Sequence, residues 1–240
     1  MSAIRLGTRA STLATTQSEM VARLLRSEGL DVDLTTITTH GDTSTASLAA
    51  MGGIGVFASA IRATLLKGEA DIAVHSFKDL PTGRPLGLAI GAVPARADPR
   101  DALVARDGLT LHDLPQEASV GTGSPRRAAQ LLAVRPDLTI VDIRGNVDTR
   151  LGRVKGLGHY AKGGGKEDLD AVVLAASGLA RLGHSGTVTE FLDPSVVLPA
   201  PAQGALAVEC RTADSRHGKL AKALARIDDR RTRLFCGRQS

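Results

Sequence analysis

Four side chains able to do proton or charge chemistry crowd into five positions of Asp71–Pro81: His75, Ser76, Lys78 and Asp79, in the run Asp-Ile-Ala-Val-His-Ser-Phe-Lys-Asp-Leu-Pro. Ile72, Ala73 and Val74 are a continuous apolar run too short for a helix, which predicts a buried strand. Pro81 stops any continuation. Ligands in open α/β sheets bind outside the carboxyl ends of strands, where loops splay over a crevice. The polar cluster is therefore placed for chemistry, with a merely charged turn as the bland alternative.

A second cluster is rich in cations. Gly121-Thr122-Gly123-Ser124-Pro125-Arg126-Arg127 joins a predicted strand to a predicted helix. Thr122 and Ser124 supply hydroxyls, Pro125 suits the first helical position, and the helix start offers N–H groups to an anion. Arg126 and Arg127 add planar forks that match carboxylates. A capped helix with two solvated arginines fits the same residues. Arg144-Gly145-Asn146-Val147-Asp148-Thr149-Arg150 repeats the design around a Gly turn, Arg9 is a third strand-end cation and Arg181 a fourth.

Several other chemistries fail on spacing. Gly163-Gly164-Gly165-Lys166 has Tyr160 where a phosphate loop needs its leading Gly, and Glu167 where it needs Ser or Thr. Gly52, Gly53 and Gly55 do not make a dinucleotide fingerprint. The paired cysteines of a zinc deaminase and a Gly-x-Ser-x-Gly elbow are absent, and no metal site is expected. His75 reads as a structural histidine.

The elements that must carry these groups alternate. Strands are predicted at Ala3–Thr8, Val32–Thr38 and 72–74, with helices at Ser11–Glu28 and Ala58–Leu66, the pattern of a parallel sheet. Leu86–Val93 is a further strand, and Pro94–Asp101 is a crossing segment. A second α/β unit follows, with strands Ala102–Ala105, Ser119–Gly121, Leu138–Ile143 and Ala171–Ala175 and helices Arg126–Arg135 and Ser177–Leu182. Lys155–Glu167 reads as a mobile surface loop. Val196–Leu198 and Ala205–Cys210 return as extended segments. The expected class is α/β, in two lobes with the ligand between them.

The 240 residues carry a net charge of +5, with 42% hydrophobic, 23% charged and only 2% aromatic residues. So few aromatics argue against single-stranded nucleic-acid binding, and the scattered arginines form no nucleic-acid arm. An acidic small molecule is the better use of the surplus. Cys210 and Cys236 cannot make a disulfide framework, and no apolar run approaches membrane-spanning length. A cytoplasmic monomer is expected, with no membrane or nucleic-acid partner.

Seven ordered stretches carry a resemblance: Arg5–Ser11, Gly52–Phe57, Ala73–Pro81, Asp98–Asp101, Gly121–Arg127, Arg144–Arg150 and Leu198–Ala205. In these the chain resembles the porphobilinogen deaminase (hydroxymethylbilane synthase) family of tetrapyrrole biosynthesis. The resemblance implies a transferase that condenses four porphobilinogens into hydroxymethylbilane, releasing ammonia at each step, with a dipyrromethane cofactor held on a cysteine of a third domain. It also implies that Asp79 is the catalytic carboxylate. Arg9, Ser11, Lys78, Thr122, Ser124, Arg126, Arg127, Arg144, Arg150 and Arg181 would hold substrate and cofactor carboxylates, and Phe57, Ser76 and Gln203 fall at lesser site positions.

The resemblance implies two periplasmic-binding-protein-like lobes with mixed sheets, lobe 1 (1–94 with 203–222) and lobe 2 (99–198), and a stub of a third domain (223–240). It also exposes departures. Ala50 and Ile54 stand where many members place lysines. The tail after Arg233 does not track the family, most of the third domain is expected to be missing, and Cys236 lacks the surroundings of an attachment cysteine. The alternative function is an impaired two-lobed remnant that binds anionic pyrroles without turnover.

Overall fold

Ile4–Thr8 (β1) is enclosed at its carboxyl end, where Leu6, Gly7 and Thr8 are buried. It lies parallel to both Val32–Thr36 (β2) and Ile72–Ser76 (β3). Leu206–Arg211 (β10) returns antiparallel beside β3, and Leu88–Ala92 (β4) pairs with its far side, giving the order β2-β1-β3-β10-β4. The computed structural model describes residues 3–37, 56–83 and 85–237, the side chains of Val56 and Phe57 excepted. Ala50 and Ile54, the glycines 52, 53 and 55, and the Phe57 side chain lie outside what is described.

Alternation along the strands explains why this sheet is covered on both faces. Ile72, Val74, Leu206, Val208 and Cys210 point into one cluster with Val21, Ala22 and Leu25 of the helix Thr12–Ser27 (α1). Ala73 and Ala207 point the other way, toward clusters that include Ile61 and Leu65, or Ala58, of the helix Val56–Leu66 (α2).

Asp101–Ala105 (β5), Ser119–Gly121 (β6), Thr139–Val141 (β7), Ala171–Ala175 (β8) and Glu190–Phe191 (β9) build a second sheet in the order β7-β6-β8-β5-β9. Its plan matches the first: three parallel strands, then an antiparallel strand, then an outer one. Leu103 and Val173 face a cluster with Leu131 of the helix Pro125–Val134 (α3). Val104, Val172 and Leu174 face another with Leu151 of Val147–Leu151 (α4) and Leu179 of Ala176–Arg181 (α5).

Two compact units result, Met1–Ala97 with Ala205–Ser240, and Asp98–Gly204. In the segment expected as a stub, 223–240, the described residues form the second half of Gly218–Ile227 (α6) and all of Arg230–Gly237 (α7). Ala223 and Leu224 join the core of the first unit, and Asp228 accepts from the Val93 N–H at 2.6 Å.

Two expectations differ from the structure. Val196 and Val197 turn rather than run extended, because both donate to the Asp193 carbonyl at 2.9 Å. The outer strand is β9 instead, too short at two residues to show a period. Lys155–Glu167 is not a loose loop. Glu167 accepts from the Gly156 and Gly158 N–H groups at 2.7 and 3.2 Å, Gly165 N–H donates to the Gly158 carbonyl at 3.0 Å, and Leu157 and Tyr160 pack on the core.

Candidate active site

In the first unit, β3 delivers its polar cluster through a single 3-10 turn, Phe77–Asp79. Asp79 is exposed at that turn. Among the described residues no ion pair engages its carboxylate, whereas nearby acids are committed. Glu209 meets Arg62 at 3.0 Å and His75 at 3.2 Å, and Asp71 meets Arg5 at 2.8 Å and Arg211 at 2.9 Å. Ser76 exchanges hydrogen bonds of 3.1 and 3.2 Å with Gln17 of α1, which is buried. Gln17 therefore fixes the hydroxyl of Ser76. It escaped the sequence reading because a lone Gln in a helix carries no pattern.

Arg9 and Ser11 follow β1. Ser11 is the N-cap of α1, its Oγ accepting from the Ala14 N–H at 3.3 Å, and the Arg9 carbonyl accepts from Thr15 Oγ1 at 3.4 Å. Lys78 lies half-buried next to Asp79.

The second unit holds the cations on one buried acid. Asp101, fully enclosed at the start of β5, accepts from Arg127 Nη2 at 2.6 Å through Oδ1 and from Arg126 Nη2 at 2.8 Å through Oδ2. Gln203 Nε2 also donates to Oδ1 at 2.8 Å, and to the Pro99 carbonyl at 2.7 Å. Burial would raise the Asp101 carboxyl, but the hydrogen bond and charge of Arg127, with Arg126 and Gln203, outweigh it and hold the group below its ordinary range. Sequence reasoning missed Asp101 as a partner. Its signal was an acid opening the otherwise apolar strand Asp-Ala-Leu-Val-Ala.

These bonds sort the expected cations. Arg127 is 6% exposed and also donates to the Val173 carbonyl at 3.2 Å, so it faces inward. Arg126 keeps 28% of its side chain exposed while donating to the Leu198 carbonyl as well as to Asp101. Arg181 donates to the Gly204 carbonyl at 2.6 Å, its buried Nε has no hydrogen-bond partner among the described residues, and burial pulls its pKa down to about 10. Gln203 is fully buried. Ser124 caps α3, accepting from the Arg127 N–H at 3.5 Å, and Thr122 Oγ1 accepts from the Ser124 N–H at 3.2 Å.

The Arg144–Arg150 turn is closed from within. Gly145 sits at φ +96°, and a Cβ there would press on Thr149 at 2.8 Å. Asn146 caps α4 by accepting from the Thr149 N–H at 2.8 Å, and Arg150 Nε donates to the Gly145 carbonyl at 2.9 Å. Arg144 is exposed. Asp148 meets His184 at 2.8 Å, tying α4 to the residues after α5.

The family model described as "Porphobilinogen deaminase, dipyromethane cofactor binding domain" matches residues 4–219. The chain belongs to the porphobilinogen deaminase family. A porphobilinogen deaminase of Cutibacterium acnes is 97% identical over 98% of this chain and 70% of its own length. One of Micrococcus luteus is 55% identical over 98% of this chain and 67% of its own length, and one of Thermobifida fusca is 58% identical over 88% and 63%. The chain thus spans about two thirds of the length of these relatives.

Among solved structures, a periplasmic substrate-binding protein of an ABC transporter from Coxiella burnetii superposes with a TM-score of 0.54 at 16% identity, covering 98% of both chains. A nutrient-binding protein from Burkholderia cenocepacia gives 0.52 at 15%, covering 98% of this chain and 96% of that one. The fold is α/β with two periplasmic-binding-protein-like lobes. As a porphobilinogen deaminase family member the chain is a transferase of porphyrin and heme biosynthesis, and the reaction condenses four porphobilinogens into hydroxymethylbilane with release of ammonia. Identity this high does not favour the reading as an impaired remnant.

Dipyrromethane is the cofactor of the matched domain. The two thiols of this chain do not fit its covalent attachment. Cys210 lies in β10 and Cys236 in α7, both fully buried. Burial raises Cys210 to about 11 and also raises Cys236, and a buried thiol that stays protonated is a poor nucleophile.

Proposed function

We propose that Asp79 is the catalytic carboxylate of this transferase and that the strand-end cations bind the substrate's carboxylates. Lobe 1 (1–94 with 203–222) supplies Asp79 with Arg9, Ser11, Ser76 and Lys78. The second lobe, within the unit Asp98–Gly204, supplies Thr122, Ser124, Arg126, Arg144, Arg150 and Arg181, with Arg127 and Gln203 held on Asp101 behind them. Porphobilinogen brings an acetate and a propionate on each ring. A unit pair at about 4 Å gains about 1 kcal/mol in water and about 4 at an effective dielectric of 20, so partly enclosed cations hold such groups best.

When the protonated amine on porphobilinogen's aminomethyl arm leaves, the C–N bond breaks with its electron pair on nitrogen and the methylene stays on the ring. The ammonium departs as ammonia, and the ring is left as an azafulvenium cation. The α-carbon of the next pyrrole attacks the methylene carbon and then loses its proton. A fixed carboxylate beside the cation lowers the barrier by electrostatic stabilisation. The observation that carries this role is the exposed Asp79 carboxylate, unengaged by any described ion pair, at the carboxyl end of β3.

Asp79→Asn tests the proposal. Porphobilinogen binding by calorimetry should stay within about 3-fold, while hydroxymethylbilane formation falls by about 100-fold or more. Near-normal turnover would overturn it. The same reading takes porphobilinogen as the small-molecule partner of a cytoplasmic monomer that engages neither nucleic acid nor membrane.

A further inference from the structure

We propose that Asp101 and Gln203 are positioning residues for the cations of the second unit, one buried carboxylate–amide pair setting where Arg126, Arg127 and Arg181 can point. This inference rests on the reading that those cations meet the substrate's carboxylates. Asp101 divides its two oxygens. Oδ1 accepts from Arg127 and Gln203, and Oδ2 accepts from Arg126. Gln203 N–H in turn donates to the Ala200 carbonyl at 3.0 Å, closing the turn that ends at Gly204. The Gly204 carbonyl then receives Arg181 Nη2 at 2.6 Å. The run Arg126, Arg127, Asp101, Gln203, Gly204, Arg181 is thus one bonded series within the unit.

The division of labour follows from charge. Arg127 and Asp101 are both buried, so each neutralises the other and neither is available as a free charge. Arg126 shares the same carboxylate with its outer face open, and it stays a net cation on a fixed mount. Arg181 donates to the Gly204 carbonyl, and among the described residues its buried Nε meets no hydrogen-bond partner. Asp101 therefore limits the unit's positive charge while aiming what remains. A long guanidinium left unmounted would spread over many rotamers and lose binding to ordering cost.

The experiment uses the whole chain, with side-chain ¹⁵N spectra of its arginines and porphobilinogen binding by calorimetry. Asp101→Asn should bind porphobilinogen on the order of 10-fold more weakly and turn the slowly exchanging guanidinium signals of Arg126 and Arg181 into averaged ones. Asp101→Glu should restore part of both. Gln203→Met leaves the Asp101–arginine pairs in place, so it should loosen Arg181 while Arg126 stays ordered. It also covers the case in which Asp101→Asn does not fold. Unchanged arginine spectra in both variants, or unchanged binding in a folded Asp101→Asn, would overturn the proposal. If the wild-type chain does not bind porphobilinogen, the substrate reading fails, and the arginine spectra alone decide whether Asp101 and Gln203 position these groups.

Discussion

Glu209 on β10 sets its Oε2 3.2 Å from Nε2 of His75 on the neighbouring β3, and both side chains are buried. Arg62 Nε completes the cluster, donating to the two Glu209 oxygens at 3.0 and 3.1 Å. Removing one member of a buried ionic group leaves the other uncompensated. Glu209→Ala should cost about 3–5 kcal/mol in urea unfolding near neutral pH, and Glu209→Gln distinctly less. A loss below about 1 kcal/mol would show that the group is not held as described.

Acid should unfold the protein through its paired carboxyls. In Asp71, burial pushes the pKa up, but Arg5 hydrogen bonds and charge, with Arg211, bring it down to about 2. Asp101 and Glu209 are also held below their ordinary range, burial being outweighed by Arg127 in one case and by His75 and Arg62 in the other. A folded pKa below the unfolded one contributes stability above about pH 4, and that contribution fades as pH falls through the folded value. Circular dichroism in fixed urea should show stability falling from about pH 4 toward about pH 2. A flat response over that window would contradict the pairing.

Ser124 separates capping from binding. Ser124→Ala removes the acceptor at the start of α3 and should cost about 1 kcal/mol. Ser124→Asp keeps an acceptor there, so thermal stability should hold. The added negative charge beside Arg126 should nonetheless weaken porphobilinogen binding. If both variants bind alike, the hydroxyl serves the helix alone.

The ordered course of residues 155–167 depends on a close backbone approach, since a Cβ on Gly165 would overlap the Gly152 carbonyl. Gly165→Ala should cost about 1–3 kcal/mol and open the segment to limited proteolysis. An uncut, equally stable variant would mean that the two strands of this loop part easily.

Both thiols should be slow toward a disulfide reagent in the native protein and both titrate at once in denaturant, because Cys210 and Cys236 are enclosed. Rapid native reaction of either would place it at the surface.

The sequence by itself determined the local chemistry. Proline, glycine and apolar runs marked β3, its turn to Asp79 and the Ser124-capped α3, because turn chemistry and strand period are local properties of the chain. It also marked which strand ends carry cations. Only the tertiary structure decided which of those cations are spent. Arg127 and Gln203 read as ligand-facing in one dimension, yet they are turned inward on Asp101, an acid 102 residues from Gln203 in sequence. The fixing of Ser76 by Gln17 spans 59 residues. Such pairings leave no periodic trace, since they arise when strands distant in the chain are brought side by side and every buried charge must find a partner there.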